Sequence, residues 1–515
     1  MGCGVSGVSI FPLTVLELFI PMENHYFHTK LVKMGKWKLY PGDCDIWFSD
    51  EGSNLFKKIF GIPKGLLLIY TLDDGFEHAY TPVLYFKSLY ETIDAITKKN
   101  YKGLEKKLRV LYTLKKRVKK ILPTINPNNL SVVSDKDLVK AYTKNRSLAH
   151  EITVFDQFGW LAEEYWTPLM ENIITKKCGL EKGSAQYHKV IFALTKPEEI
   201  STTLEEKRAV LGEALKIKQG KVTLEKSSEK LSKDFGWMPV FVFGTPWGSD
   251  WYQKELETLL NKEQGALQIE FDELKNYSKS RNAEVRAIAK EYAISKQDLQ
   301  IFIDFGLALD ARNEAEYVVS LAGFYLMPLY QEISKRLKLP VDDLRKFYET
   351  DIVECLEGKA SALDVLRAKE NIVAFGYDET MTHIIRFSPT EARAFFQHME
   401  KTVQNAQGQN EHKGVCASTG KATGIARIVH SPNENSKVLE GNILITHATT
   451  VDYLPAMKKA AAIITEVGGL TCHAAVVSRE FKIPCVVALK NAMTNFKDGD
   501  KIEVDADKGL VRKIV

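Results

Sequence analysis

The spacing of apolar residues changes twice along the chain. From about Leu31 to Glu91 short apolar runs, GLLLIYTL (Gly65 to Leu72) and PVLYFKSL (Pro82 to Leu89), flank an Asp-Asp-Gly at 73–75. Strand-like runs around such a turn predict a small sheet or hairpin. From there to about Arg393 the spacing becomes three and four, with Leu108, Leu111, Leu114, Val118 and Ile121 on one face of a predicted helix. SDKDL at 134–138 and TLEEKR at 203–208 read as helix starts. Pro-bearing breaks near Leu122 to Pro127, Lys196 to Pro197 and Leu339 to Pro340 divide the helical body. The run HMEKTVQNAQGQNEHKG, His398 to Gly414, has almost nothing to bury and reads as a linker. Beyond it come β-branched runs separated by glycines: TGKATGIARIVH, GNILITH, AAIITEVGG, IPCVVAL and DKIEVDADKGLVRKIV. They predict a compact α/β or β-rich domain of about 100 residues. The expected architecture is multidomain α plus α/β: an unassigned segment 1–30, a mixed then mainly helical body 31–397, a linker 398–414 and a compact domain 415–515.

Composition excludes several classes. The 515 residues are 45% hydrophobic and 26% charged, which is ordinary globular usage and not disorder. Seventy basic against 66 acidic side chains, a net charge of +4, give no global polyanion-binding signature. The basic stretch Tyr101 to Lys120 carries an apolar stripe and few aromatics, so it reads as a solvated helix face and nucleic acid is not an expected partner. Seven cysteines with no CxxC pair argue against a disulfide framework or zinc ribbon and favour a reducing cytoplasm. The first 22 residues hold Pro12 and Glu17 and lack a basic start, so neither a signal peptide nor a membrane span is read there. Their MGxxxS opening, Gly2 and Ser6 with Cys3 beside them, fits an N-myristoylation pattern that arises often by chance, and Met22 is an alternative start.

The sharpest chemical signal is TEVGGLTCHAAVVSRE, Thr465 to Glu480. It follows the strand-like AAII and leads into a helix-compatible stretch, placing Gly468, Gly469, Thr471, Cys472 and His473 at a strand-to-helix turn. Glycines let the backbone approach an anion closely, and exposed N–H groups with the positive helix end stabilise its charge. A neutral imidazole there can attack a phosphoryl group and hold it as a phosphoramidate. Protonated imidazole has no free lone pair, which predicts falling phosphorylation below roughly pH 6. The plainer reading of the same text is a satisfied turn histidine.

The string GGLTCHAAVVSRE resembles the phosphohistidine signature of the phosphoenolpyruvate-utilising enzymes: phosphoenolpyruvate synthase, pyruvate phosphate dikinase and the rifampicin phosphotransferases. The resemblance runs from VCASTGKATGIARIV through HATTVDYLPAMKKAAAIITE to DGDKIEVDADKGLV. It implies a swivelling β/β/α domain with His473 as the phosphorylated residue, Thr471 and Cys472 flanking it, and Gly468 and Gly469 shaping the loop. Cys472 reads as a small packed side chain. Arg479 lies in the motif, six residues along the helix and off the His473 face, so a surface salt bridge competes with phosphate contact. At Thr450-Val451-Asp452 the text departs from the family's Thr-x-Pro-Asp, with Pro455 following, so Thr450 and Asp452 are either site-lining or a turn and N-cap.

Neither a Walker-type GxxxxGK(S/T) nor the phosphate-binding text of an ATP-grasp domain is found, nor the βα alternation of a pyruvate-binding barrel. The resemblance then implies a phosphotransferase component whose donor is ATP, through an ATP-grasp protein in trans, or phosphoenolpyruvate. Mg²⁺ would sit at the partner's nucleotide site, and the acceptor would be a small molecule. No metal site of its own is read in the chain. The alternative is a non-catalytic regulatory or docking protein that retains a phosphorylatable swivelling domain. Asp304 to Leu344 resembles more weakly the helical middle of rifampicin-phosphotransferase-like proteins, where Arg312, with Glu314 and Glu316, is either a phosphate or acceptor contact or an interhelical pair. Trp237, Trp247 and Trp251 read as core packing or an apolar acceptor pocket.

Overall fold

The computed structural model describes residues 31–37, 50–61, 67–71, 76–241, 244–369, 372–377, 384–388, 390–394, 411–470 and 472–514. The N-terminal expectations (Gly2, Cys3, Ser6, Met22), the Asp-Asp-Gly turn, linker positions 398–410 and Thr471 lie outside them.

A hairpin is present, with its second strand earlier than expected: β2 (Leu67–Thr71) and β3 (Phe76–Pro82) are antiparallel in register Leu67 to Tyr80 and Thr71 to Phe76. It belongs to a larger sheet of order β1-β3-β2-β4-β5, in which β1 is Leu31–Trp37, β4 is Ile372–Tyr377 and β5 is Ile384–Arg386. Leu68 pairs with Phe375 and Tyr70 with Val373, so the far end of the helical body returns to complete the N-terminal sheet. PVLYFKSL is not a strand beyond Pro82: Val83–Lys99 is a helix. Leu89 and Ile93, four apart, are buried together on its inner face, and this helical period outweighs the β-branched and aromatic text before it.

Helix α1 (Val110–Ile121) carries the predicted apolar face, with Leu111 and Val118 fully buried. Its basic residues are not all solvated. Lys115 pairs with the fully buried carboxylate of Glu314, and Lys119 Nζ lies 3.4 Å from Thr202 Oγ1. The expected breaks at 122–127, 196–197 and 339–340 all separate helices. The two longest helices were not foreseen. Helix α2 (Asp135–Asn172, 38 residues) starts where SDKDL predicts, with Ser134 Oγ accepting from Asp137 N at 3.1 Å, and runs through Pro168. Helix α3 (Thr202–Lys218) is capped by Ser201, whose Oγ accepts from Leu204 N, and helix α4 (Ser249–Leu260) packs against it. Helix α5 (Lys296–Leu337, 42 residues) runs through Pro328 and lies along α2 as the main helix pair of the body.

The C-terminal sheet has eight strands, order β6-β13-β12-β8-β9-β10-β11-β7. Strands β8 (Lys421–Ile428), β9 (Ile443–Thr446), β10 (Ala462–Thr465), β11 (Cys485–Val487), β12 (Lys501–Asp505) and β13 (Leu510–Lys513) match the β-branched runs, and β7 (Val415–Ser418) precedes the first of them. Strands β8 to β11 are parallel neighbours at its centre. Strand β6 (Glu411–Lys413) pairs with β13, so the sheet begins inside the stretch read as linker. One apolar cluster, with Ile445, Ile464, Ile502 and Val504, belongs to this sheet alone. A second is shared across the two regions: Val451, Leu454, Ala474 and Val477 join Leu211, Trp247 and Tyr317 of the helical body. This shared core seats the C-terminal sheet region on α3 and α5.

Candidate functional site

Strand β10 ends at Thr465, and helix α6 (His473–Phe481) begins eight residues later in the sequence, as the strand-to-helix turn predicts. Thr465 Oγ1 donates to Val467 O at 2.7 Å and fixes the exit of the turn. Gly468 has φ +119°, and a Cβ there would fall 2.8 Å from Cys472 Sγ. Both the left-handed backbone and the close sulfur require glycine. A Cβ on Gly469 would fall 2.2 Å from Glu163 Oε1, so a carboxylate of α2 lies directly against this loop.

His473 is the first residue of α6 and 2% exposed. Its Nδ1 is 3.1 Å from Thr449 Oγ1, while its Nε2 is buried and, among the described residues, has no hydrogen-bond partner. Burial first, and the nearby Arg312 guanidinium second, push its pKa down to about 3. The imidazole in this arrangement is therefore neutral far below the pH 6 threshold, which applies to a solvated histidine.

Arg312 reaches the site through a close helix crossing. A Cβ on Gly159 would lie 2.5 Å from Ala308 O and 2.8 Å from Arg312 Cβ, so α2 and α5 meet here only because residue 159 is glycine. Four residues beyond Gly159 on α2 is Glu163, and the crossing thus brings one cationic and one anionic side chain to the same loop.

The other expected residues have different roles. Cys472 is buried and its thiol is pushed up to about 11 by burial, so it stays protonated and packs, as read. Among the described residues Arg479 forms no surface salt bridge: its Nε donates to Ala475 O at 2.9 Å, its Nη2 donates to Leu470 O, and its guanidinium lies 5.2 Å from the Phe192 ring centroid. It ties the glycine loop to its own helix and to the body. Thr450 donates to Asp452 Oδ1 and stands before the short turn Val451–Tyr453 without a side-chain capping bond. Burial pushes Asp452 up to about 6. The threonine that contacts His473 is Thr449, one residue earlier in the same HATT text, a near miss that sequence spacing alone does not resolve.

The three tryptophans belong to the same shared core, as the core-packing alternative expects, but not to one stack. Trp237 stands edge-on to Tyr317, 6.5 Å between ring centroids, whereas Trp247 and Trp251 stack at 4.0 Å with an interplanar angle of 3°. A cavity of about 490 Å³ in the body, lined by Arg208, Gly212, Lys216, Lys230 and Phe271 among others, includes none of the expected site residues. Among the described residues no three His, Cys, Asp or Glu side chains are grouped to hold a metal ion. No described helix is long and apolar enough to cross a membrane.

Residues 438–509 match the family described as PEP-utilising enzyme, mobile domain. Three curated relatives align with part of the chain. The probable phosphoenolpyruvate synthase of Archaeoglobus fulgidus is 50% identical over 112 residues, 22% of this chain and 15% of that protein. The phosphoenolpyruvate synthase of Pyrococcus furiosus is 39% identical over 140 residues, 27% of this chain and 17% of that one. The phosphoenolpyruvate synthase of Escherichia coli is 35% identical over 126 residues, 24% and 16% respectively. Each alignment thus spans less than a fifth of the relative's length. A solved structure, Thermococcus kodakaraensis aconitase X, aligns over 21% of this chain at 19% identity with a TM-score of 0.17, too low to bear on the fold. The resemblance read from the glycine loop is therefore shown for the C-terminal region: it is similar to the mobile domain of phosphoenolpyruvate-utilising enzymes.

Proposed function

We propose that this chain is a phosphotransferase component in which His473 Nε2 carries a phosphoryl group between a donor and an acceptor. The observation that carries the reading is the unequal treatment of the two ring nitrogens, with Nδ1 against Thr449 Oγ1 and Nε2 left without a partner among the described residues. In this reading Nδ1–H donates to the threonine oxygen, the tautomer that keeps the Nε2 lone pair free. That lone pair attacks phosphorus, an N–P bond forms, the bond from phosphorus to the donor's leaving oxygen breaks, and Thr449 supports the positive charge gained at Nδ1–H. In the second step an acceptor oxygen attacks phosphorus and the N–P bond breaks, returning the neutral ring.

In this reading Arg312, close enough to act on the His473 ring electrostatically, meets the transferred charge, and Gly468 and Gly469 add no side chains of their own to the loop at the helix start. In this reading the donor is ATP, through an ATP-grasp protein in trans, or phosphoenolpyruvate. Mg²⁺ accompanies the nucleotide at the partner, and the acceptor is a small molecule. Cytoplasmic residence fits thiols kept reduced, with Cys472 and Cys485 buried and unpaired.

The test is incubation of the purified chain with Mg²⁺ and either ATP labelled separately at the β and γ positions or labelled phosphoenolpyruvate, with and without a candidate ATP-grasp protein. Acid-labile label present in the wild type and lost in His473→Ala is the expected result. Label that persists in His473→Ala, or none under any of these conditions, contradicts the carrier reading.

A further inference from the structure

With His473 2% exposed, its imidazole is sealed between the C-terminal sheet region and the helical body, so a donor reaches Nε2 only after the two separate. What holds them together is then a functional question. Beside the Arg479–Phe192 contact, one contact in the shared interface gathers carboxylates and aromatic rings around a single ammonium group. Lys458, just past the short helix Leu454–Met457, sends its ammonium group into the helical body. There Nζ lies 3.1 and 3.2 Å from the two carboxylate oxygens of Glu206 on α3 and 3.9 Å from Glu255 on α4. It also lies 4.9 Å from the Trp247 ring centroid and 4.7 Å from that of Trp251, with the indoles stacked side by side. Phe481, at the end of the helix that begins with His473, stands 5.8 Å away. Aromatic faces and a carboxylate converging on one ammonium make a cation cage.

The cage is built to be filled. Glu206 is 1% exposed, and burial drives its pKa upward while the Lys458 charge opposes the rise. Without Lys458 the carboxylate has to take up a proton or find another cation, because an unpaired charge in an apolar enclosure is strongly disfavoured. Lys458 itself keeps only 13% of its side chain exposed. Other charged contacts between the two regions, such as Lys482 to Glu273 at 3.8 Å with both side chains mostly exposed, are weak by comparison.

We propose that Glu206, Trp247 and Trp251 form an ammonium-binding cage whose resident ligand is Lys458, and that its occupancy is the latch that keeps His473 sealed over Arg312. The site takes a primary alkylammonium group, and a free cation of that class competes with Lys458 and releases the domain. The latch matters to function through the carrier reading of His473. Its test reads access to the ring and not phosphorylation, so the two ideas fail separately.

The experiment is the rate of carbethoxylation of His473 by diethylpyrocarbonate, followed by peptide mass mapping, with the exposed His430 as internal reference. Lys458→Met and Glu206→Gln are expected to speed modification of His473 by about tenfold or more while His430 is unchanged. In the wild-type chain, n-butylammonium chloride is expected to speed it relative to sodium chloride at the same ionic strength. This second arm needs no variant to fold. Equal His473 rates in the two salts overturn the cage as a cation site. Unchanged rates in both variants, each shown folded by circular dichroism, overturn it as the latch.

Discussion

The interface between the helical body and the C-terminal sheet region treats two nitrogens in opposite ways. At Lys458 it supplies partners in excess, with Glu206 and Glu255 carboxylates and the Trp247, Trp251 and Phe481 rings around one ammonium group. At His473 Nε2 it supplies none among the described residues, although the ring is buried more completely than Lys458. A buried polar atom without a partner is costly, and natural cores rarely tolerate one unless it has another use. The contrast teaches that docking strength is lodged away from the reactive atom. The Lys458 cage and the shared apolar core can hold the domain while the nucleophile stays uncommitted.

The largest expected effect breaks the saturated side of this comparison. Lys458→Met leaves the Glu206 carboxylate buried and unpaired, an imbalance of roughly 3 kcal/mol by analogy with other broken buried pairs. Small-angle scattering should register a more extended chain, and a Lys458→Met, Glu206→Gln double variant should lose less than the sum of the single losses. A strictly additive result would mean that the pair is not coupled.

A second prediction sharpens the other side. The sealed site prefers neutral imidazole, with His473 held at about 3 against an ordinary value near 6.5. The contribution of this residue to docking is therefore complete above about pH 6.5 and is lost as pH falls toward the docked value, by about 1.4 kcal/mol per unit. Asp452 and Glu480, pushed up to about 6 and about 7 by burial, act with the opposite sign, because protonation suits their buried state as pH falls. The readout must therefore be specific to His473. Its ring resonances should show no titration between pH 8 and pH 5 in the wild type, and a midpoint near 6.5 in Lys458→Met. A wild-type midpoint near 6.5 would show that the site is solvated.

Gly468→Ala comes next. The φ of +119° and the 2.8 Å approach of its new Cβ to Cys472 Sγ predict a loss of about 1–3 kcal/mol, visible in the thermal midpoint, together with displacement of the residues leading to His473. The smallest effect belongs to Thr449→Val. Removing one neutral hydrogen-bond partner of Nδ1 costs about 1 kcal/mol, so phosphorylation of His473 should slow several-fold with thermal stability nearly unchanged. A normal rate would remove Thr449 from the account.

The legibility of these features in the sequence follows from how local their causes are. The glycine loop, the start of α6 at His473 and the central β-branched strands are set by residues a few positions apart, and the text shows them. Helices α2 and α5 run past Pro168 and Pro328, where local preference alone argues for a break, because tertiary packing between the two helices overrides it. The pairing of β2 with β4 and the meeting of Lys458 with Glu206 join segments far apart in the chain, so no window of sequence contains both partners. Arg312 was reachable as a candidate through a weak resemblance, whereas the glycine crossing that delivers it, Gly159 against Ala308, left no readable signal. Thr449 and Thr450 are adjacent, and only the turn that follows decides which of them faces the ring.

The most direct measurement is nuclear magnetic resonance of the chain after phosphorylation, with the histidine rings labelled with nitrogen-15, reading which ring nitrogen of which residue is coupled to phosphorus. The account predicts coupling at Nε2 of His473, the nitrogen without a partner among the described residues. Phosphorus on Nδ1, whose place is taken up by Thr449, or on any residue other than His473, would contradict it.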